Sequence, residues 1–206
     1  VDQKTGEDCR PGEVGELWCK GSVVMKCYFN REEANRRVFT EDGWFKTGDQ
    51  ADLSDAGRIR IKGRIKEIIV TSTGEKIPPT DMELAIQTDP LFEQVMVVGE
   101  ARPFITALAV VNEAEWEKFA KEFNVDPTDE RMLMRRDIRM AALKRLKKAA
   151  SRFPQYGIPR NIRLLKEHWT VDNGCLTVTM KLRRPIIREK LRAEIDELYT
   201  VPKNNV

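Results

Sequence analysis

The chain has 206 residues, 41% apolar and 33% charged, with 36 Lys and Arg against 33 Asp and Glu for a formal net charge of +3. That balance excludes a disordered tail, and the charge is too small to point to nucleic acid by itself. No apolar run reaches the ~18 residues of a membrane-spanning helix, and the longest, ITALAVV at 105–111, has the length of a buried strand.

In chain order, GELWCKG and SVVMKCYF are strand-length runs bounded by Gly and Asn, and REEANRRVF offers one or two helical turns. QADL and RIRIKG flank Ser54-Asp55-Ala56-Gly57, a turn signal that predicts a hairpin, and KEIIVTS is a further strand. From 80 the pattern changes. TDMELAIQTD predicts a short helix with its N-cap at Thr80 or Asp81 and Glu83 in its first turn. EQVMVVGE and ITALAVVN follow as buried strands, and EAEWEKFAKEFN as a helix. A longer helix is expected over about 128–153, with Met134, Ile138, Ala142, Leu146 and Phe153 on one stripe. NIRLLKE is a strand, and Pro185 opens a last helix through IIREKLRAEIDELY. The expected fold class is α+β, a small β-rich unit at 1–65 followed by an α/β unit at 66–206. The opening VDQKTGEDCRPGEVGELW has neither an initiator Met nor a leader pattern, and reads as a chain entered part-way along a longer protein.

Cys9, Cys19, Cys27 and Cys175 form no CxxC pair, and with a single histidine they cannot build a zinc cluster. They read as free thiols of a reducing compartment.

Three segments carry candidate chemistry. In GWFKTGD (43–49) a glycine lets the backbone turn and presents the Asp49 carboxylate at a loop. An ionised carboxylate only accepts hydrogen bonds and can take two from a ribose diol, although a turn aspartate bonding its own backbone is the commoner use of Gly-Asp. In GRIKEIIVTSTGEKIPPTDME (63–83) Arg64 offers a planar fork for ribose or phosphate oxygens, and Gly74 leaves room for a ligand or another backbone. In NGCLTVTMKLRRP (173–185) Lys181 is a compact charge on a flexible stem, suited to neutralising a reacting phosphate or carboxylate. Taken alone, each segment also reads as ordinary solvated surface.

Their order decides between these readings. TGD, then GRIKE…TSTGEKIPP…E, then LTVTMKLRR closely resembles the C-terminal part of adenylate-forming enzymes, over essentially the whole chain. GEARPFITALAVVN (99–112) and the TMKLRRP ending resemble the long-chain fatty acyl-CoA synthetase branch. The resemblance implies the last β-subdomain of a large adenylation domain at 1–65 and the mobile C-terminal domain at 66–206. It implies the reaction of a fatty acid with ATP to acyl-AMP and pyrophosphate, then of acyl-AMP with CoA to acyl-CoA and AMP. ATP, Mg²⁺ and CoA are the implied cofactors and a long-chain fatty acid the partner, with no nucleic acid. No metal ligand is expected in this chain, since the phosphate loop and the Mg²⁺ ligands would lie in a part it does not contain. By the same resemblance Asp49 binds both ribose hydroxyls, Arg64 also contacts the ribose, Lys66 is the hinge, Gly74 lines the pantetheine passage, and Lys181 is the catalytic lysine of adenylation. Two departures stand out: Val178 replaces an expected proline, and the hinge is lysine rather than aspartate. The chain alone is expected to be inactive, and its location cytoplasmic, with peripheral membrane contact left open.

Other readings are another acyl- or aryl-adenylating ligase, a fold-retaining scaffold without activity, and a basic binding module. The last rests on RMLMRRDIRMAALKRLKKAASRF, which holds nine Lys and Arg against one acid, Asp137. A docked helix with a solvated basic face is the plainer account. His168 reads as structural beside Trp169, and Cys175 as a small packing residue.

Overall fold

In a computed structural model of the chain, residues 1–54 and 57–200 are described. They divide into two compact units, Val1–Ile68 and a second from Ile69 onward.

The first unit is a three-stranded antiparallel sheet of β1 (Val14–Cys19), β2 (Phe45–Leu53) and β3 (Ile59–Arg64) in that order. The predicted hairpin joins β2 to β3, although Asp55 and Ala56 of its turn lie outside the described residues. Helix α1 (Glu32–Val38) buries no residue fully, with Ala34, Asn35 and Val38 half-buried, and carries the spaced pairs Glu32–Arg36 and Glu33–Arg37. Such exposed pairs contribute only about 0.3–0.5 kcal/mol each. The run SVVMKCYF is not a strand: no described strand pairs with it, and Val23 and Phe29 are 96% and 86% exposed. An apolar run without a neighbour to take its backbone bonds does not become a strand. Asp52 is the charged residue that this sheet buries, and hydrogen bonds from Lys62 and then Arg60, each at 2.8 Å, hold its carboxyl below the usual range.

The second unit is built on β6 (Phe92–Val98), β7 (Thr106–Val111) and β8 (Asn161–Leu165), ordered β6-β7-β8, antiparallel and then parallel. The parallel pairing requires a crossover, supplied by α3 (Glu113–Glu122) and α4 (Arg136–Ala149). Both faces of this sheet are covered, which explains why TALAVV is apolar throughout rather than alternating. One face carries Val95, Val97, Ala107, Ala109 and Ile162 against Met82, Trp116, Phe119, Ile138 and Leu146. The other carries Met96, Val98, Leu108 and Val110 against Trp169, Cys175, Leu176, Ile187 and Leu198. Burying each such large side chain stabilises by roughly 1.5–3 kcal/mol. Asn112 caps α3, its side chain accepting from the Glu115 amide at 3.2 Å.

Further expected elements differ from the observed ones. KEIIVTS becomes a 3₁₀ turn (Ile65–Glu67) and a two-residue strand, β4 (Ile69–Val70), paired with β5 (Lys76–Ile77). The long basic helix is a 3₁₀ turn (Glu130–Met134) and then α4, separated by an extended Arg135. Upstream, Asp126 and Asp129 bond the Thr128 and Arg131 amides with their own side chains, local bonds that compete with helix. The last helix is two, α5 (Arg184–Lys190) and α6 (Arg192–Tyr199), meeting at Leu191. Helix α2 (Pro79–Ile86) has Pro78 rather than Thr80 or Asp81 at its N-cap, so Glu83 sits beyond its first turn, on the buried side.

Candidate functional site

In the first unit Asp49 and Arg64 are direct cross-strand partners on β2 and β3. Asp49 lies within a strand rather than at the expected loop. The β1–β2 register slips between Glu16 and Trp18, and Gly48 sits there at φ 73°. Such an irregularity re-aims the next side chain, and the left-handed φ favours glycine. Arg64 Nη1 donates to Asp49 Oδ1 at 3.0 Å and to the Thr47 carbonyl at 2.6 Å. The Asp49 side chain is 28% exposed and the Arg64 side chain 54%, so both remain open to a ligand. Lys66 is exposed on the 3₁₀ turn after β3, just before the first unit ends at Ile68.

In the second unit Gly74 and Lys181 sit on two separate tight hairpins. Gly74, at φ 84°, lies in the loop between β4 and β5. A side chain there would meet no atom within 4 Å, so the left-handed backbone rather than crowding calls for glycine. The second hairpin has Leu176 opposite Leu182, with Lys181 exposed near its tip. Among the described residues the Lys181 ammonium has no hydrogen-bond or ion-pair partner, whereas its amide donates to Thr177 Oγ1 at 3.1 Å. Val178, where proline was expected, is 86% exposed at the same tip.

Sequence reasoning missed what fixes the Lys181 hairpin in place. Arg184, three residues on, donates two hydrogen bonds to Glu83 at 2.6 and 2.7 Å, and Glu83 also accepts from the Val97 amide at 2.8 Å. Val97 is on β6, which among the described residues pairs only with β7, so the carboxylate takes an amide of that sheet edge while holding the arginine. The available signal was an acid on the apolar side of α2, but nothing in its spacing names a partner 101 residues away.

His168 pairs with Glu93 at 3.2 Å beside the buried Trp169, and the four cysteines are free, with Cys175 buried. Among the described residues no three His, Cys, Asp or Glu side chains gather to hold a metal ion, and no helix is long and apolar enough to cross a membrane.

Residues 66–202 match the family model of the AMP-binding enzyme C-terminal domain. The chain belongs to this family. With this AMP-binding enzyme C-terminal domain, the long-chain-fatty-acid–CoA ligase FadD15 of Mycobacterium tuberculosis is 35% identical over 94% of the chain and 32% of the relative. Long-chain-fatty-acid–CoA ligase 1 of Cavia porcellus is 32% identical over 92% of the chain and 28% of the relative. The chain therefore spans about a third of the length of the curated relatives it matches. Among solved structures, the adenylation domain of a carboxylate reductase from Mycobacterium chelonae superposes with a TM-score of 0.78 at 25% identity, over 90% of the chain and 28% of that protein. The O-succinylbenzoate coenzyme A synthetase of Bacillus subtilis, in complex with AMP, gives a TM-score of 0.63 at 25% identity over all of the chain and 34% of that protein. The mixed α+β architecture is that of adenylate-forming enzymes.

Proposed function

We propose that this chain is the C-terminal portion of an AMP-forming long-chain fatty acid–CoA ligase, and that Lys181 is the catalytic lysine of its first half-reaction. The observation that carries the reading is Lys181 itself: a lysine near the tip of a short hairpin anchored in a core, its ammonium without a partner among the described residues. Such a charge is available to an anionic ligand.

In adenylation, a fatty carboxylate oxygen attacks the α-phosphorus of ATP, the new P–O bond forms, and pyrophosphate leaves with the electron pair of the bond it loses. Two anions must approach, and charge spreads over the phosphoryl oxygens. A cation placed between them offsets the repulsion and is worth most where water is excluded. Lys181 takes that place. Asp49 accepts hydrogen bonds from the ribose hydroxyls, and Arg64 both orients that carboxylate and offers its remaining donors to the ribose. Mg²⁺, when bound, would supply charge neutralisation at the phosphates, and among the described residues no cluster is assigned to hold it. In the second half-reaction the CoA sulfur, its proton lost, attacks the acyl carbon and AMP departs. Gly74 lines the way in for the pantetheine arm, and Lys66 is the hinge about which the second unit exchanges one step for the other.

Leu53, Ile59 and Ile61 support placement in a larger enzyme, since they leave an apolar row 44–61% exposed on the first sheet. The acyl acceptor is the finer choice, because one relative from Arabidopsis thaliana, 30% identical, is named a long-chain-fatty-acid–[acyl-carrier-protein] ligase.

The test is Lys181→Ala in the complete ligase carrying this sequence. Acyl-AMP formation should fall on the order of 10²- to 10³-fold, the usual loss for one well-placed charge stabiliser. Thioester formation from pre-made acyl-AMP and CoA should persist, and an acyl carrier protein offered in place of CoA decides the acceptor. Intact adenylation in the Lys181→Ala enzyme overturns the reading.

A further inference from the structure

The two hairpins of the second unit are built alike. In Thr71-Ser72-Thr73-Gly74-Glu75 the Thr71 amide donates to the Glu75 carbonyl at 3.0 Å and the Gly74 amide to the Thr71 carbonyl at 3.0 Å. The Glu75 amide donates to Thr71 Oγ1 at 3.1 Å, and Thr71 Oγ1 lies 2.9 Å from Thr73 Oγ1. In Thr177-Val178-Thr179-Met180-Lys181 the corresponding bonds are 2.9, 2.9, 3.1 and 3.0 Å. The fourth residue is left-handed in both, Gly74 at φ 84° and Met180 at φ 60°. The shared pattern is a three-residue turn closed by a left-handed residue, with one addition. The first threonine's hydroxyl reaches across the loop to the amide of the residue that leaves it.

Met180 makes the addition informative. A long side chain at positive φ is uncommon and strained, and it persists only where its surroundings hold it. Met180 is 68% exposed, so packing does not hold it. The Thr177 hydroxyl on the next amide, at Lys181, adds a side-chain restraint to the two backbone bonds of the loop. Both loops also stand on buried roots, Ile69 and Ile77 in one core and Cys175 and Leu176 in the other.

We propose that Thr71 and Thr177 are positioning residues, each clasping its own loop through the amide four residues on, so that the second unit presents two preshaped fingers, one for each half-reaction. This rests on the function proposed above, with Lys181 serving adenylation and the Gly74 loop serving thioester formation. Neither threonine touches a reacting atom. Each acts by fixing the backbone from which the working residue projects.

The experiment measures the two half-reactions separately in the complete ligase for Thr177→Val and Thr71→Val, which keep the shape and remove the hydroxyl, and for the matching Ser variants, which restore it. Thr177→Val should slow acyl-AMP formation on the order of tenfold, the worth of one net hydrogen bond, and leave thioester formation from pre-made acyl-AMP at the parent rate. Thr71→Val should do the reverse, and both Ser variants should recover most of the loss. In the chain alone, amide hydrogen exchange should quicken at Lys181 for Thr177→Val and at Glu75 for Thr71→Val, each without effect on the other loop. A Val variant that slows both half-reactions equally, or neither, overturns the clasp, as does unchanged exchange at both amides. Lys181→Ala run alongside separates the failures. If it abolishes adenylation while Thr177→Val does not, the clasp alone is wrong; if it leaves adenylation intact, the function assigned to Lys181 is wrong.

Discussion

Replacing Glu83 by Gln probes the tie between α2 and the Lys181 hairpin. The carboxylate takes two bonds from Arg184 and one from the Val97 amide, and the two side chains are 7% and 13% exposed. Gln keeps the volume and one acceptor oxygen. It also turns an NH₂ toward the guanidinium and removes the negative charge that Glu83 sets against it. Removing one partner of a buried pair costs about 3–5 kcal/mol. A domain holds about 5–15 kcal/mol in total, so the loss is a large share of the stability. At about 2–4 °C per kcal/mol for a unit near this size, the melting temperature should fall by roughly 6–20 °C. Glu83→Met with Arg184→Met removes both charges of this pair and leaves the Val97 amide without its acceptor, at about 1–3 kcal/mol. The double variant should therefore melt above the single one. Thermal melts followed by far-UV circular dichroism give both numbers. A Glu83→Gln protein melting within about 2 °C of the parent, or a double variant melting below the single one, refutes the reasoning.

The 206-residue chain alone, given ATP, Mg²⁺ and palmitate, should release no pyrophosphate above blank, and turnover at an ordinary enzymatic rate would dismiss the reading of a partial ligase. Lys66→Pro in the complete ligase should depress thioester formation more than adenylation; equal loss of both removes the hinge role. Arg135→Ala should raise the Asp137 carboxyl, which the Arg135 hydrogen bond holds at about 2, toward the ordinary 3.8. Because that folded-state value is depressed, the contact stabilises fully above pH 3.8 and fades as pH falls toward about 2, so an NMR carboxyl titration unchanged by the substitution contradicts it.

Legibility in the sequence followed the range of the forces involved. The central strands were readable because TALAVV is apolar at every position, as burial on both faces requires. The Asp49–Arg64 pairing was half readable: the turn signal predicted the hairpin that brings them together, while the slipped register placing Asp49 inside a strand has no local mark beyond Gly48. SVVMKCYF misled because a strand exists only if another accepts its bonds, and propensity says nothing about neighbours. The long basic helix misled at Arg135, where side-chain bonds from Asp126 and Asp129 closed the preceding turns first. The Glu83–Arg184 tie was invisible because long-range pairing leaves no periodic trace. The paired threonines were on the page as TSTGE and TVTMK, a likeness hidden by methionine standing where glycine would be expected.

The hairpin roots lie on opposite faces of one sheet, Ile69 and Ile77 on one and Cys175 and Leu176 on the other, with Glu83 and Arg184 bound across the β6 edge between them. Both fingers are thereby rooted in one unit. On the proposed function, a turnover is therefore paced like a gate with two doors on one axle. Opening to the thiol is the same act as closing to ATP, so acyl-AMP cannot meet both fingers at once. The reorientation also becomes a toll common to every substrate. Its rate would be set by the joint and by the contacts broken and remade there rather than by acyl chain or acceptor, and a ligase with an otherwise faster substrate would reach the same ceiling.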